Sequence, residues 1–211
     1  MFDYASSTMT LVGRHEKTGE SSASGNACSC LSSLPAEQFS NLVASASWNR
    51  QFCLWDLRAS NGKTPVGSLE LPGKAFSMSV DLSNPQRLVV ATSGRRNCIV
   101  DLRGGKPEPA IVLDRESSLK FQTRSVSFFP DGRGFALGSV EGRVGVEFLD
   151  ELGVASTMKR YAFKCHRVND TVYPVNCIAF HPKFKSTFAT GGCDGSVVLW
   201  DGQNKKKVRR H

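Results

Sequence analysis

The sequence predicts an all-β chain built from the blades of a β-propeller, about four of them complete. Trp55-Asp56, Val100-Asp101, Leu149-Asp150 and Trp200-Asp201 each close a short apolar strand, at separations of 45, 49 and 51 residues, the size of one four-stranded blade. Runs that alternate apolar with small or polar residues fill the intervals, as strands packed on one another do. No long amphipathic helical pattern competes with them. A blade cannot bury a core alone and a ring takes on the order of 4 to 8 of them. The 211 residues hold between four and five such periods, so the chain reads as one propeller domain that is part of a larger ring.

The elements follow in order. Residues 1–12 (MFDYASSTMTLV) read as the end of a preceding blade. The first unit, 13–57, opens with a polar Gly- and Ser-containing loop from Glu16 to Ala27. It continues through CSCLSSL, NLVASAS and QFCLWDL, with Trp48-Asn49-Arg50 supplying a tight turn. The second, 58–103, contains LELPGKAFSMSVD, RLVVATSG and NCIVDLR, punctuated by Asn84-Pro85 and Gly94-Arg95. The third, 104–150, contains TRSVSFFP, GFALGSVEG and RVGVEFLD, turning at Pro130-Asp131-Gly132 and at Glu141-Gly142. The fourth, 151–202, contains VNCIAFHP, TFATGGCDG and SVVLWD. Its Cys193-Asp194-Gly195 turn is the clearest hairpin signal, because glycine reaches positive φ without a steric penalty. Residues 203–211 read as the start of a following blade.

A formal charge of +8 favours acidic partners: nucleic acid, phosphopeptide or carboxylate-rich peptide. Part of the excess sits in Lys205, Lys206, Lys207, Arg209 and Arg210, a run that as a strand connection is simply solvated. Seven cysteines, an odd number without a regular framework, argue against a disulfide-stapled secreted domain. No apolar run approaches the roughly 20 residues of a membrane helix, and the N-terminus lacks a basic stretch followed by an apolar core. The expectation is an intracellular, soluble chain. Cys28 and Cys30 are spaced C-x-C with no second ligand pair nearby, so neither a metal nor a cofactor is expected.

In the fourth unit His166, Thr190, Asp194 and Trp200 fall in an order that allows one hydrogen-bonded network across a blade, the partnership buried polar groups require. The same grouping resembles hydrolytic chemistry, but neither a nucleophile elbow nor a Gly-rich oxyanion loop accompanies it. A non-enzymatic protein is therefore expected. Asn49 takes the corresponding turn in the first unit, with His15 as its histidine at a looser spacing. The second and third units lack the network and are expected to rely on apolar packing by Leu88, Val89, Val90, Phe135, Ala136 and Leu137.

RESSLKFQTR, SVEGRVGVEFLD and YAFKCHR, followed by YPVNCIAFHP and TFATGGCDG, resemble the WD-repeat mitotic checkpoint family that partners the Bub kinases. The Rae messenger-RNA export factors form its sister group. The resemblance runs from about Asn41 to Lys207, and more loosely over residues 1–15. Arg115-Glu116-Ser117-Ser118, Thr92 to Arg96 and Val146 to Asp150 lean toward the checkpoint group. Leu69 to Lys74 and Ile178 to Pro182 are closer to the export group. The resemblance implies a seven-bladed WD-repeat propeller, with Met1 at the end of the second blade and His211 just past the sixth. It also implies a nuclear scaffold of the spindle assembly checkpoint, at the kinetochore in mitosis. One face would grip an acidic segment of a Bub-type kinase and recognise a phosphothreonine motif of a kinetochore scaffold. The export alternative would take a nucleoporin acidic segment, with single-stranded RNA as a further ligand.

Carried over residue by residue, Arg124 in KFQTR, with Lys120 before it, would pair with partner glutamates. Arg143 in Glu-Gly-Arg, and Lys164 or Arg167 in FKCHR, are the candidates to meet phosphate. A guanidinium offers carboxylate or phosphate a planar fork of donors, and such charge-assisted bonds are about twice as strong as neutral ones. The alternative for these arginines is internal pairing with Glu141, Glu147 or Asp150. Trp48 is either an exposed aromatic anchor for a partner or a ring packed at a blade edge.

Overall fold

A computed structural model describes residues 2–3, 8–9, 12–15, 26–35, 41–58, 64–102, 108–149 and 159–210. Most of the polar loop after His15, and Asp150, lie outside the described residues. Two short strands, β1 (Phe2–Asp3) and β2 (Thr8–Met9), pair with each other. Four antiparallel sheets of four strands follow. The first holds β3 (Cys28–Ser33), β4 (Leu42–Ser47), β5 (Gln51–Asp56) and β6 (Gly67–Glu70). The second holds β7 (Ala75–Val80), β8 (Arg87–Thr92), β9 (Arg96–Asp101) and β10 (Ala110–Glu116). The third holds β11 (Thr123–Phe128), β12 (Gly134–Ser139), β13 (Arg143–Phe148) and β14 (Tyr161–Lys164). A two-stranded ribbon of β15 (Arg167–Val168) and β16 (Thr171–Val172) precedes the fourth, which holds β17 (Val175–Phe180), β18 (Thr187–Gly192), β19 (Val197–Asp201) and β20 (Lys206–Arg210).

The expected four-stranded antiparallel blades are therefore present, with the sheets offset from the sequence units by one strand. Each sheet takes three strands up to its closing position and a fourth from the residues beyond, because that fourth strand finds its hydrogen-bonding edge on the strand just completed. Lys206–Arg210 pairs with β19 in this way, so the basic run closes the fourth sheet. The third closing position also differs from Leu149-Asp150. Phe188 pairs with Trp200 in the fourth sheet and Phe135 with Glu147 in the third, which makes Glu147-Phe148 the counterpart of Trp200-Asp201. Phe148 completes β13 and stacks on Phe129, ring centroids 5.9 Å apart.

The inner strands β8 and β12 are buried along their whole length, and apolar side chains pack between neighbouring sheets. Phe52 and Leu54 pack against Leu88, Val90 and Val100 between the first and second sheets. Ile99 and Val89 pack against Phe128, Phe135 and Leu137 between the second and third. Val144, Val146 and Phe129 pack against Phe188, Val198 and Trp200 between the third and fourth. The leading strands bond directly across sheets: Ser77 and Ser79 hydroxyls accept the amides of Val126 and Phe128, and the Ser125 hydroxyl donates to Val175 O. Gly142 turns β12 into β13 at φ +61°, where a Cβ would stand 2.7 Å from Cys165 O, so only glycine fits both the backbone and the space.

Candidate partner-binding face

Strand direction puts the turn between the second and third strands, and the segment leading into the next sheet, at the same end of every blade. Trp48 lies on the β4–β5 turn, Lys120 and Arg124 between and at the start of β10 and β11, Arg143 at the start of β13, Lys164 at the end of β14 and Arg167 in β15. All six candidates thus share one face of the blades. They do not form one cluster. Trp48 stands on the first blade, apart from the others, with 47% of its surface exposed. Lys120, exposed beside the exposed ring of Phe121, sits over the joint between the second and third blades. Arg124 is exposed near the fourth blade, its Nε donating to Asn176 Oδ1 at 3.1 Å. Among the described residues no carboxylate pairs with Arg124, Lys120, Lys164 or Arg167.

The third group is drawn together. Arg143 and Lys164 are register partners, and like charges directly across a strand pair repel. Glu141 offsets part of that, with its Oε1 3.4 Å from Arg143 Nε. Arg167 donates from Nη2 to Glu141 O at 3.1 Å, while its buried Nε has no hydrogen-bond partner. Lys164, Arg167 and Lys207 border a cleft of about 200 Å³ whose other walls are Cys165, His166, Val198 and Trp200. Three cations around one cleft, with an unpaired guanidinium nitrogen beside it, suit an anion such as phosphate. Lys207 was invisible as a site residue because a charge run usually marks a solvated face, and its place on β20 was not readable from the run itself.

His166 anchors this cleft. Its Nδ1 donates to Asp194 Oδ1 at 2.8 Å, its Nε2 accepts from the Thr190 hydroxyl at 2.8 Å, and that hydroxyl accepts from Trp200 Nε1 at 2.9 Å; the donor roles are the assignment that satisfies all four groups. Asp194 also accepts from the Ser196 hydroxyl and amide. Burial raises its pKa, but the bonds from His166 and Ser196 outweigh this and hold it below the usual carboxylate value. The first blade repeats the arrangement: Trp55 Nε1 donates to Ser45 Oγ at 2.6 Å and His15 Nε2 lies 2.8 Å from the same oxygen. Thr190 is fully buried beneath these partners, which keeps its hydroxyl from any substrate. Burial also pushes the nearby Cys165 thiol up to about 12, so it supplies no thiolate nucleophile at neutral pH.

Apolar packing alone does not describe the third blade. Glu147, at the position Trp200 holds in the fourth, is fully buried, with Oε2 2.9 Å from Arg115 Nη2 and Oε1 accepting the Ser118 amide at 2.7 Å. The second blade likewise buries an ion pair, Asp81 with Arg87, at the opposite end.

Comparison with known proteins agrees with the fold. Residues 158–201 match the WD domain, G-beta repeat family. The chain is a WD-repeat β-propeller. It is 51% identical over 176 residues to the mitotic checkpoint protein BUB3.1 of Arabidopsis thaliana, covering 80% of this chain and 49% of that protein. To the mitotic checkpoint protein bub3 of Dictyostelium discoideum it is 45% identical over 166 residues, 76% of this chain and 47% of that protein. To the poly(A)+ RNA export protein of Schizosaccharomyces pombe it is 36% identical over 194 residues, 90% of this chain and 51% of that protein. The resemblance read from the motifs is thus to the checkpoint proteins, with the export proteins also similar. The WD-repeat chain spans about half the length of the curated relatives it matches.

Proposed function

We propose that this chain is a non-enzymatic scaffold of the spindle assembly checkpoint, acting in the nucleus and at the mitotic kinetochore. The observation that carries the reading is the set of cations on one face that have no carboxylate partner among the described residues. Arg124 and Lys120 would grip the acidic segment of a Bub-type kinase. Lys164 and Arg167, with Lys207 beside them and Arg143 adjacent, would take the phosphothreonine of a kinetochore motif. An acidic main chain segment laid across the face would replace solvent on these cations with charge-assisted hydrogen bonds.

The test is a titration of two peptides, one glutamate-rich and one carrying phosphothreonine, against variants of the full chain. Arg124→Glu is expected to weaken the glutamate-rich peptide by about 2 kcal/mol or more, roughly thirtyfold, because a central arginine is replaced by a like charge. Lys164→Glu with Arg167→Glu is expected to weaken the phosphopeptide and leave the first peptide bound. Equal affinity of Arg124→Glu and wild type for the acidic peptide removes Arg124 from the site.

The likeness to an RNA export protein over 90% of this chain supports a second reading, an export factor that holds a nucleoporin acidic segment on the same face. Its distinctive ligand is single-stranded RNA, whose binding falls steeply with added salt as phosphates and cations exchange counterions. An oligonucleotide that fails to bind even at low salt sinks this alternative.

A further inference from the structure

We propose that Glu147 is the positioning residue of the acidic-segment site, holding Lys120 and Arg124 in place from beneath through Ser118 and Arg115. The inference rests on the assignment of those two cations to the partner. Every joint between blades needs a group at the closing position of the third strand. The first and fourth blades use an indole, Trp55 and Trp200, and the second uses Val100. The third blade spends this place on a fully buried carboxylate. A buried ion pair is not favoured for stability, since well-packed apolar residues of similar volume do as well or better. What Glu147 does that an indole or isopropyl group does not is accept a backbone amide of the crossing segment.

That segment is the one that presents the cations. Glu147 Oε1 accepts the Ser118 amide at 2.7 Å, Ser117 Oγ accepts the Leu119 amide at 3.1 Å, and Leu119 is buried. Arg95 Nη1 reaches Leu119 O at 3.4 Å, and the Val140 amide donates to Gln122 O at 3.1 Å. Lys120 and Phe121 stand on the exposed crest between these fixed points, and Arg124 begins the strand that follows. Arg115 closes the anchor from the other side: Nη2 lies 2.9 Å from Glu147 Oε2 and donates to Phe148 O at 3.2 Å. The surroundings leave little slack, since a Cβ at Gly145 would meet Ser118 Oγ at 2.8 Å. Buried Ser118 Oγ, Arg115 Nε, Glu147 Oε2, whose contact with Arg115 is ionic only, and both amide atoms of Asn97, the register partner of Arg115, have no hydrogen-bond partner. The polar contents of this joint therefore serve the crossing segment better than they serve one another.

The test replaces the pair by an apolar one. Arg115→Met with Glu147→Met keeps volume in the joint and removes both charges, so the fold is expected to survive. Amide exchange at Ser118 to Gln122 is expected to accelerate. Affinity for the glutamate-rich peptide is expected to fall about tenfold, since binding groups held by a loosened support lose their fixed geometry. Phosphopeptide affinity, set at the next joint, is expected to stay unchanged, which a general loss of stability would not allow. Glu147→Gln, which retains a carbonyl for the Ser118 amide, is expected to recover most of the affinity. Unchanged peptide affinity in the double variant, or unchanged exchange at Ser118 to Gln122, overturns the proposal. If Arg124→Glu itself leaves the peptide bound, the assignment of the site fails, and the exchange measurement still decides whether Glu147 anchors the segment.

Discussion

Asp81→Ala is expected to destabilise the chain by about 3–5 kcal/mol, the cost of leaving a buried charge without its partner. Asp81 is fully buried and holds the end of the second and third blades opposite the candidate partner face. It pairs with Arg87 through both Nε and Nη2 and accepts the Ser83 amide at 2.9 Å and hydroxyl at 2.7 Å. Arg87 in turn donates from Nη2 to Gly132 O at 2.9 Å and lies over the Phe128 ring, so one guanidinium ties the second blade to a turn of the third. Removing the carboxylate takes from that buried guanidinium the charged partner that both Nε and Nη2 contact. Urea denaturation of the variant measures the loss. Replacing Asp81 and Arg87 together by leucine and methionine is expected to recover most of it, because the uncompensated charge goes too. A loss below 1 kcal/mol for Asp81→Ala would mean that the joint relaxes enough to let water reach Arg87.

The blade count was legible because a large apolar residue before aspartate recurs at the period of four strands, and periodicity survives ignorance of contacts. The sheet boundaries were less so. Nothing in the residues after each aspartate says that they return to pair with the strand just finished, since that pairing is a long-range choice of edge. The third closing position shows the limit more sharply. Leu149-Asp150 imitates the aspartate-terminated pattern, while register gives the place to Glu147-Phe148. A glutamate inside the apolar run VGVEFL is the one signal that was available: a charge that strand alternation turns inward needs a partner, and Arg115 is far away in sequence. Basic residues on one face were readable from turn positions, because hairpin turns and crossing segments alternate ends. Their grouping was not. Lys207 reaches the cleft beside Lys164 and Arg167 only through the pairing of β20 with β19.

Trp200→Ala is expected to cost about 3–5 kcal/mol, the range for deleting a large buried aromatic side chain, and to loosen the fourth blade before the others. The indole packs against Phe163, ring centroids 4.6 Å apart, and donates to Thr190; its removal strips the third–fourth core and leaves a buried hydroxyl without its donor. Hydrogen exchange is expected to rise first in β18 and β19. Trp200→Phe, which keeps an aromatic ring but not the indole donor, is expected to lose much less, separating packing from the hydrogen bond. The carboxylate at the other end of this network gives a second reading of the same joint. Asp194 is held below its ordinary value of 3.8 by its bonds from His166 and Ser196, against the opposing effect of burial. The folded state then binds the proton less readily than the unfolded chain, so this contribution is fully present above that ordinary value and is lost as pH falls through the lowered one. Asp194→Asn is expected to flatten that acid limb and to lower stability at neutral pH. An unchanged acid limb in Asp194→Asn would show that the network draws its strength from the indole and hydroxyl alone. A flattened one, combined with coupling between Asp194→Asn and Trp200→Phe in a double-mutant cycle, would show that charge and packing at this joint act as one unit.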